Sequence, residues 1–101
     1  MSYEIKLPLF EGPFDLLLFF IERDEIDIMD IPISKVTNDF FEYISELESM
    51  NIEVASEFIV VAATLMRIKS KMLLPRLSVD EEGNEIDPRE ELVEHLMEYK
   101  K

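Results

Sequence analysis

Apolar residues recur with a helical period along most of the chain, and the pattern is clearest between residues 54 and 73. One series follows spacings of four, three, four, three and four, as in a heptad repeat; it consists of Val54, Phe58, Val61, Leu65, Ile68 and Met72. A second stripe runs beside it and consists of Ala55, Ile59, Ala62, Met66 and Leu73. A surface helix needs one apolar face, roughly 100° wide, whereas this predicted helix has about two.

Two interpretations of this surplus apolar surface stay open from the pattern alone. Either the helix is the centre of the domain and both seams are internal, or one seam is internal and the other docks onto a partner's helices. Ala55, Ala62 and Ala63 would let another helix approach closely. Burying a Val-, Leu- or Phe-sized side chain contributes about 1.5–3 kcal/mol, so an uncovered seam would drive association. The pattern does not indicate which seam would face the partner.

A first helix is predicted near the start of the chain. Gly12-Pro13 opens it, because proline at the first helical position loses no hydrogen bond, and Asp15 suits the positive end of the helix dipole. The helix is apolar nearly all round and has to be covered on every side; its apolar residues are Phe14, Leu16, Leu17, Leu18, Phe19, Phe20 and Ile21. Before it, the weak alternation in residues 3–10 is compatible with a short extended arm.

The next segment predicts a connector followed by a second helix. Residues 24–33 alternate with a period near two, and Pro32 disfavours helix at the residue before it, so we expect an extended connector with inward-facing isoleucines. Ser34 is the predicted N-cap of a second helix that continues to about Leu47.

The ends of the third and fourth helices complete the predicted fold. Asn51 is the expected cap of the third helix and Pro75 its stop. Asp87 is the expected cap of the fourth helix, with Glu90 reaching back in a capping box. Residues 78–87 between them are acidic, and we expect them to be mobile. The elements predict an all-α fold, a small bundle of about four helices with a long central third helix and a possible short extended N-terminal arm.

The composition is acidic and excludes several classes of function. The chain has 101 residues, enough for one compact domain, and its 23 acidic and 10 basic residues give a net charge of −13. Proteins that bind DNA through its phosphates need clustered Lys and Arg, so direct DNA binding is disfavoured. One basic cluster complements the end of the third helix, or could meet an acidic partner or DNA; it consists of Arg67, Lys69, Lys71 and Arg76.

Neither a membrane segment nor cysteine chemistry is indicated. The strongest apolar run, from Leu16 to Ile21, has six residues, whereas a membrane helix needs about 20. The first residues carry no basic-then-apolar signal, and the chain has no cysteine for disulfides, thiol catalysis or zinc ribbons. We expect a soluble, cytoplasmic protein.

No arrangement of residues predicts catalysis, a metal or a cofactor. The acidic residues of segments 24–30 and 80–85 lack the spacing of a calcium loop. His95 is the only histidine, and on an amphipathic helix it is an ordinary surface or boundary residue. A metal-dependent hydrolase is therefore the least favoured alternative, since neither further histidines nor helical carboxylate spacing support it.

Several segments in order resemble the segregation and condensation protein A family, the prokaryotic kleisins. They are FEGPFDLLL (10–18), EIDIMDIPI (25–33), ASEFIVVAATL (55–65) and IKSKMLLP (68–75), followed by PREEL (88–92). The departures are small: Phe14 stands where the family often has leucine, and Met29 where an aromatic residue is common. The resemblance extends over essentially the whole chain.

The resemblance implies a non-enzymatic subunit of the SMC condensin complex. Residues 1–76 would form the helical domain that binds the head-proximal coiled coil, or neck, of the SMC ATPase, and residues 77–87 a flexible acidic loop. Residues 88–101 would begin the region that wraps around a ScpB dimer. The expected SMC-binding residues are Val54, Ala55, Phe58, Ile59, Val61, Ala62, Leu65, Met66, Ile68 and Met72. The expected ScpB-side residues are Leu92, Leu96 and Tyr99.

The implied role is chromosome condensation and segregation, with DNA contacted only through the complex. The chain shows no C-cap at its end, so we expect the natural protein to continue beyond Lys101. The family's C-terminal winged-helix domain, which would close the kleisin ring, is not in this sequence. From a different class, a self-associating helical module that pairs with its own copy is the alternative, and it would make the isolated domain a homodimer.

Overall fold

A computed structural model describes residues 9–75 and 79–100, and in this part the chain forms four α-helices. They are α1 (Pro13–Arg23), α2 (Ile33–Ser49), α3 (Ser56–Met72) and α4 (Glu90–Lys100). The only β-type pairing among these residues is an isolated antiparallel bridge between Val79 and Glu85. The predicted all-α fold is confirmed. The predicted N-terminal arm lies almost wholly outside the described residues.

One hydrophobic core joins the four helices. Each helix contributes at least one side chain with no exposed surface: Leu16, Phe40, Leu65 and Leu96. Helix α2 packs along α3, and α1 contacts the other three helices. Helix α4 packs on α1 alone, and no Cα atom of α4 comes within 8 Å of one in α3. The bundle is therefore open between α3 and α4.

Helix α1 begins as predicted and is covered on most of its surface. Gly12 precedes its first residue, Pro13, and Asp15 Oδ2 accepts a hydrogen bond of 3.0 Å from the backbone N–H of Glu11. The expectation that α1 is covered on every side is wrong at Phe19, which stays exposed and contacts the ring of Phe10 at 5.1 Å between centroids.

Helices α1 and α2 both end in a Schellman motif, although neither has a glycine there. In α1, Glu25 has a positive φ of 53°, and the N–H of Ile26 donates to the carbonyl of Ile21 at 2.9 Å. In α2, Asn51 has a φ of 59°, and the N–H of Ile52 donates to the carbonyl of Leu47 at 2.9 Å. These bonds satisfy carbonyls that a helix end would otherwise leave free.

The observed helix boundaries show that two predicted N-caps, Asn51 and Ser34, are wrong. Asn51 terminates α2 instead of capping the third helix, because its side chain tolerates the left-handed conformation; α3 begins five residues later, after Ala55. Ser34 lies inside α2, whose first residue is Ile33, because Pro32 with its fixed φ already serves as the flanking residue.

The connector before α2 is a turn and not the extended segment that was predicted. The side chain of Asp27 accepts a hydrogen bond from the N–H of Met29 at 2.9 Å, and its carbonyl accepts one from Asp30 at 2.9 Å. This Asx-type turn directs Met29 into solvent. Ile31 is buried as expected.

A surface network of charges joins the end of α1 to the first turns of α2. Arg23 and Lys35 both contact Asp24 and Asp39, at 2.6 to 3.1 Å. The guanidinium of Arg23 also lies 4.9 Å from the ring centroid of Phe20. Hydrogen bonds from Arg23, then from Lys35, hold the pKa of Asp24 well below its usual range.

Arg89 fastens the start of α4 to the connector, in an arrangement that we call the Arg89 latch. Its guanidinium donates to both carboxylate oxygens of Asp87, at 3.0 and 2.8 Å. Its Nη1 donates across the fold to Asp30 Oδ1 at 2.9 Å and to the carbonyl of Ile31 at 2.8 Å. Asp87 also accepts a bond from the backbone N–H of Arg89, so it caps α4 as predicted. Within the described residues, the side chain that hydrogen-bonds to Asp87 is that of Arg89 and not, as the predicted capping box requires, that of Glu90.

The described part of the acidic loop contains a tight turn. Asp80 Oδ1 accepts hydrogen bonds from the N–H groups of Glu82 and Asn84, both at 2.9 Å. Gly83 has a φ of 86°, a conformation that side chains disfavour. The turn gives residues 79–85 a defined shape, while the predicted mobility of the loop stays a prediction.

The unusual backbone at Glu25 predicts a stabilising substitution. Glu25→Gly should raise the free energy of unfolding by about 0.5 kcal/mol, because the gain from removing Cβ strain exceeds the added freedom of the unfolded chain. Urea titration followed by circular dichroism measures the change. Asn51→Gly is the matched control and should be near neutral, since asparagine tolerates this conformation; a Glu25→Gly protein less stable than wild type would contradict the strain argument.

The Arg89 latch predicts a local effect on α4. Arg89→Gln keeps the side chain's approximate length and removes its charge, so α4 should lose about 1 kcal/mol of local stability, because the exposure of Asp30 screens part of the interaction. Amide hydrogen exchange measured by mass spectrometry should become faster in α4 and change little in α2.

The pH dependence of α4 gives a second readout of the same variant. Hydrogen bonds from Arg89 lower the pKa of Asp87 in the folded protein. The ionised Asp87 carboxylate therefore contributes fully to the stability of α4 above the pKa of about 4 that it has in the unfolded chain. This contribution is lost as the pH falls through the lower pKa of the folded protein. The loss of α4 stability at acid pH should be smaller in Arg89→Gln than in wild type, and it should be unchanged in the control Arg67→Gln. Identical exchange of α4 in all three proteins would contradict the latch.

Candidate helix-binding surface

The first apolar seam of α3 is occupied by the protein's own helices. Its central residues are buried, and its two end residues are half-buried; in order they are Val54, Phe58, Val61, Leu65, Ile68 and Met72. The ring of Phe58 lies against Phe40 at 6.1 Å and Tyr43 at 6.4 Å between centroids. This seam holds α3 in the core.

The second stripe of α3 is largely exposed. Ile59 is 51% exposed, Met66 49% and Leu73 71%, while Ala55 and Ala63 are also exposed. Ala62, which the sequence placed in the same stripe, is buried beside the first seam. The name outer stripe is used below for Ile59, Ala63, Met66 and Leu73. Their spacing of four, three and seven residues keeps them on one face of the helix.

The outer stripe is an apolar strip that is interrupted by Ser70 between Met66 and Leu73, and it has one small residue, Ala63. Large exposed apolar side chains scattered singly are ordinary, whereas a row of them on one helix face marks an interaction site. Ala63 lies between Ile59 and Met66 and would let another helix axis come close. Since burial of a large apolar side chain contributes about 1.5–3 kcal/mol, covering these half-exposed residues would supply roughly 1 kcal/mol each.

A groove opens where α3 and α4 are out of contact. Its volume is about 1230 Å³. The wall on α3 carries Val60, Thr64, Arg67 and Lys71, and the wall on α4 carries Glu91, Glu94, His95 and Glu98. Phe14 of α1 lies at its floor and contacts the ring of His95 at 5.8 Å between centroids. The groove is thus apolar at its base, with acidic residues along the α4 wall and the basic pair Arg67 and Lys71 toward the C-terminal end of the α3 wall.

The residues expected to face ScpB divide into two groups. Leu92 and Leu96 are buried in the core of the domain. Tyr99 is exposed, and its hydroxyl donates a 3.5 Å hydrogen bond to Glu11. Partial burial, then the negative charges of Asp15 and Glu11, raise the pKa of this hydroxyl. Of the three, Tyr99 is the residue that a partner can reach in this conformation.

Sequence reasoning missed both the groove and the Arg89 latch. The latch joins Arg89 to Asp30 and to Ile31, which lie 59 and 58 positions earlier in the chain. No local sequence pattern marks a contact over such a distance along the chain. For the basic cluster that includes Arg67 and Lys71, the sequence leaves open whether it complements the helix end or meets an acidic partner or DNA, and the position of these two residues across the groove from the acidic residues of α4 depends on the packing of α4 on α1.

The described residues hold no group of three or more His, Cys, Asp or Glu side chains that could bind a metal ion. Over the same residues, no helix is long and apolar enough to cross a lipid bilayer. The surfaces that distinguish this domain are therefore the outer stripe and the groove, both formed from helix faces.

Comparison with known proteins shows which family this chain resembles in sequence. The family model described as segregation and condensation protein ScpA matches residues 20–101. Segregation and condensation protein A of Caldanaerobacter subterraneus subsp. tengcongensis is 59% identical over 101 residues, covering 98% of this chain and 41% of that protein. The proteins of the same name from Brevibacillus brevis and Bacillus subtilis are each 50% identical, over 108 and 104 residues.

The chain spans about two fifths of the length of these curated relatives. The matched region includes α2, α3 and α4 entirely, and the alignments to the relatives extend over nearly the whole chain. From the identity, the coverage and the helical architecture together, this chain belongs to the segregation and condensation protein A family.

Proposed function

We propose that this domain is the SMC-binding part of a kleisin subunit and that the outer stripe of α3 binds the head-proximal coiled coil of an SMC ATPase. The observation that supports the proposal is the exposure of Ile59, Met66 and Leu73 on one face of a helix whose opposite face is buried. A coiled coil presents apolar ridges with a matching heptad period, which such a face can join as a further helix.

The domain acts as a tether and not as a catalyst. It holds one SMC subunit, so that ATP-driven movements of the SMC heads are coupled to the entrapment of DNA during chromosome condensation and segregation. Its net charge of −13 disfavours direct contact with DNA phosphates, so DNA is reached through the complex, in the cytoplasm. The region that α4 begins continues toward a ScpB dimer, with Tyr99 as the accessible contact.

The buried seam contributes to this function indirectly. Phe58, Val61 and Leu65 keep α3 in place, and an acidic substitution at any of them would leave a charge in the core and unfold the domain. The partner-binding role that the sequence suggested for all ten residues is therefore proposed for the exposed ones, with Ile59 and Met66 at the centre.

A matched pair of methionine substitutions tests the proposal. Met66→Asp places a charge in the outer stripe and should weaken binding of a purified SMC head-and-neck fragment by about tenfold or more, equivalent to at least 1.4 kcal/mol. Met29→Asp makes the same change at another exposed methionine, 68% exposed and outside α3, and should bind as wild type. Isothermal titration calorimetry measures the affinity, and circular dichroism verifies the fold of both variants.

Unchanged affinity in a folded Met66→Asp protein would show that SMC does not use the outer stripe. Sedimentation equilibrium at several protein concentrations distinguishes the proposed SMC-binding domain from the remaining alternative, a module that associates with its own copy. Like charges on two copies of this acidic domain oppose pairing, so we expect a monomer at moderate ionic strength. A dimer that persists in the presence of the SMC fragment would favour self-association instead.

A further inference from the structure

The groove between α3 and α4 has the dimensions of a helix. A helix about 10 Å in diameter, rising about 1.5 Å per residue, occupies roughly 120 Å³ per residue, so the groove of about 1230 Å³ holds about ten residues, or three turns. Helix α4 forms one wall with 11 residues, which matches that length. The space is thus large enough in volume for a helical segment of about that size.

The two walls differ in charge. On α4, four carboxylates line the groove: Glu90, Glu91, Glu94 and Glu98. On α3, Arg67 and Lys71 are four residues apart and line the same space, and Glu57 lines it near the start of the helix. Within the described residues, none of these seven side chains takes part in an ion pair.

The base of the groove is apolar. It is formed by the ring of Phe14 from α1 and by Val61 and Ile68 from α3, and Val60 adds apolar surface on the α3 wall. Val60 is an exposed valine in the middle of a helix, and the outer stripe does not include it. Apolar surface flanked by rows of charge is the pattern that an amphipathic helix recognises.

The occupant of the groove is distinct from the helix that would cover the outer stripe. Since successive helical residues are about 100° apart, the outer stripe and the α3 wall of the groove point in directions roughly 115° apart. Helices packed on α3 in these two directions, each about 8–10 Å from its axis, would be about 15 Å from each other, too far to pack as one coiled coil.

We propose that the groove is a second docking site, which binds a single amphipathic helix of another protein with lysines or arginines on one flank and acidic residues on the other. The basic flank lies against the α4 carboxylates Glu91, Glu94 and Glu98, and the acidic flank against Arg67 and Lys71. The apolar ridge of the bound helix packs on Phe14 and Val60. A domain with both sites filled would join two partners through two different faces of α3.

The chemistry also excludes a second copy of this chain as the preferred occupant. Helices α1, α2 and α4 each carry more acidic than basic residues, and the described helix end with two lysines in its last turn is that of α3. That end of α3 already forms the wall of the groove that faces α4. Charge complementarity therefore favours a helix with one basic and one acidic flank from a different protein.

The test uses the whole chain and a designed probe. The probe is a fluorescein-labelled peptide of about 18 residues, stapled because shorter isolated helices are marginal in water, with leucines along one face, lysines on one flank and glutamates on the other. Fluorescence anisotropy at low salt should give saturable binding to wild type. A peptide with the same composition and its lysines and glutamates mixed on both flanks should bind at least about tenfold more weakly.

Charge reversals in the protein locate the site. Glu94→Lys should weaken binding of the ordered peptide by about tenfold, and Glu48→Lys, an exposed site on α2 with the same change in net charge, should leave it unchanged. A peptide with glutamates on both flanks should then bind Glu94→Lys more tightly than wild type. Absence of saturable binding to wild type, or equal losses in the two variants, would overturn the proposal.

The same variants separate this inference from the proposed SMC contact. Met66→Asp should bind the ordered peptide as wild type does, and Glu94→Lys should bind the SMC fragment as wild type does. Loss of peptide binding in Met66→Asp would show that the peptide uses the outer stripe, and the groove would no longer be a separate site.

Discussion

The burial of the first apolar seam of α3 against α2 and α1 is the interaction on which the rest of the structure depends. Phe58, Val61 and Leu65 form the centre of this contact. An α-helix turns by about 100° per residue, so burying these positions fixes the direction of every other side chain on α3. The outer stripe is exposed for that reason, and the α3 wall of the groove points to a third side.

Local pattern predicted much of this fold. Helical periodicity located all four helices, the Gly12-Pro13 start of α1 and the Asp87 cap of α4. The pattern did not predict the two helix ends at which a residue other than glycine adopts the left-handed backbone conformation. Glu25 gives no indication of such a turn, and Asn51 suits either a helix start or a helix end, because the same short side chain serves both. The turn at Asp27 was missed since its Asx hydrogen bond resembles nothing in the hydrophobic pattern.

The choice between the two seams of α3 was beyond the sequence alone. Each seam has apolar residues at helical spacing, and burial depends on which one α1 and α2 cover, which is a tertiary property. The two seams also differ in their side chains: the first seam has Phe58 and Leu65 at its centre, whereas the outer stripe has the small residue Ala63 between Ile59 and Met66. Bulky residues fill a core, and small ones permit close approach, but a single sequence does not decide which of these roles prevails.

The position of α4 is determined separately from that of α3. Helix α4 contacts only α1, and its first turn is held by the Arg89 latch to Asp30 and to the carbonyl of Ile31. The width of the groove therefore depends on the latch and on the packing of Leu92 and Leu96, whereas the outer stripe depends on the α2–α3 contact. Since the two surfaces have no packing contact in common beyond α3 itself, a change in α4 can open or close the groove without disturbing the outer stripe. This arrangement lets one short domain present two separate surfaces, the outer stripe and the groove, on different faces of α3.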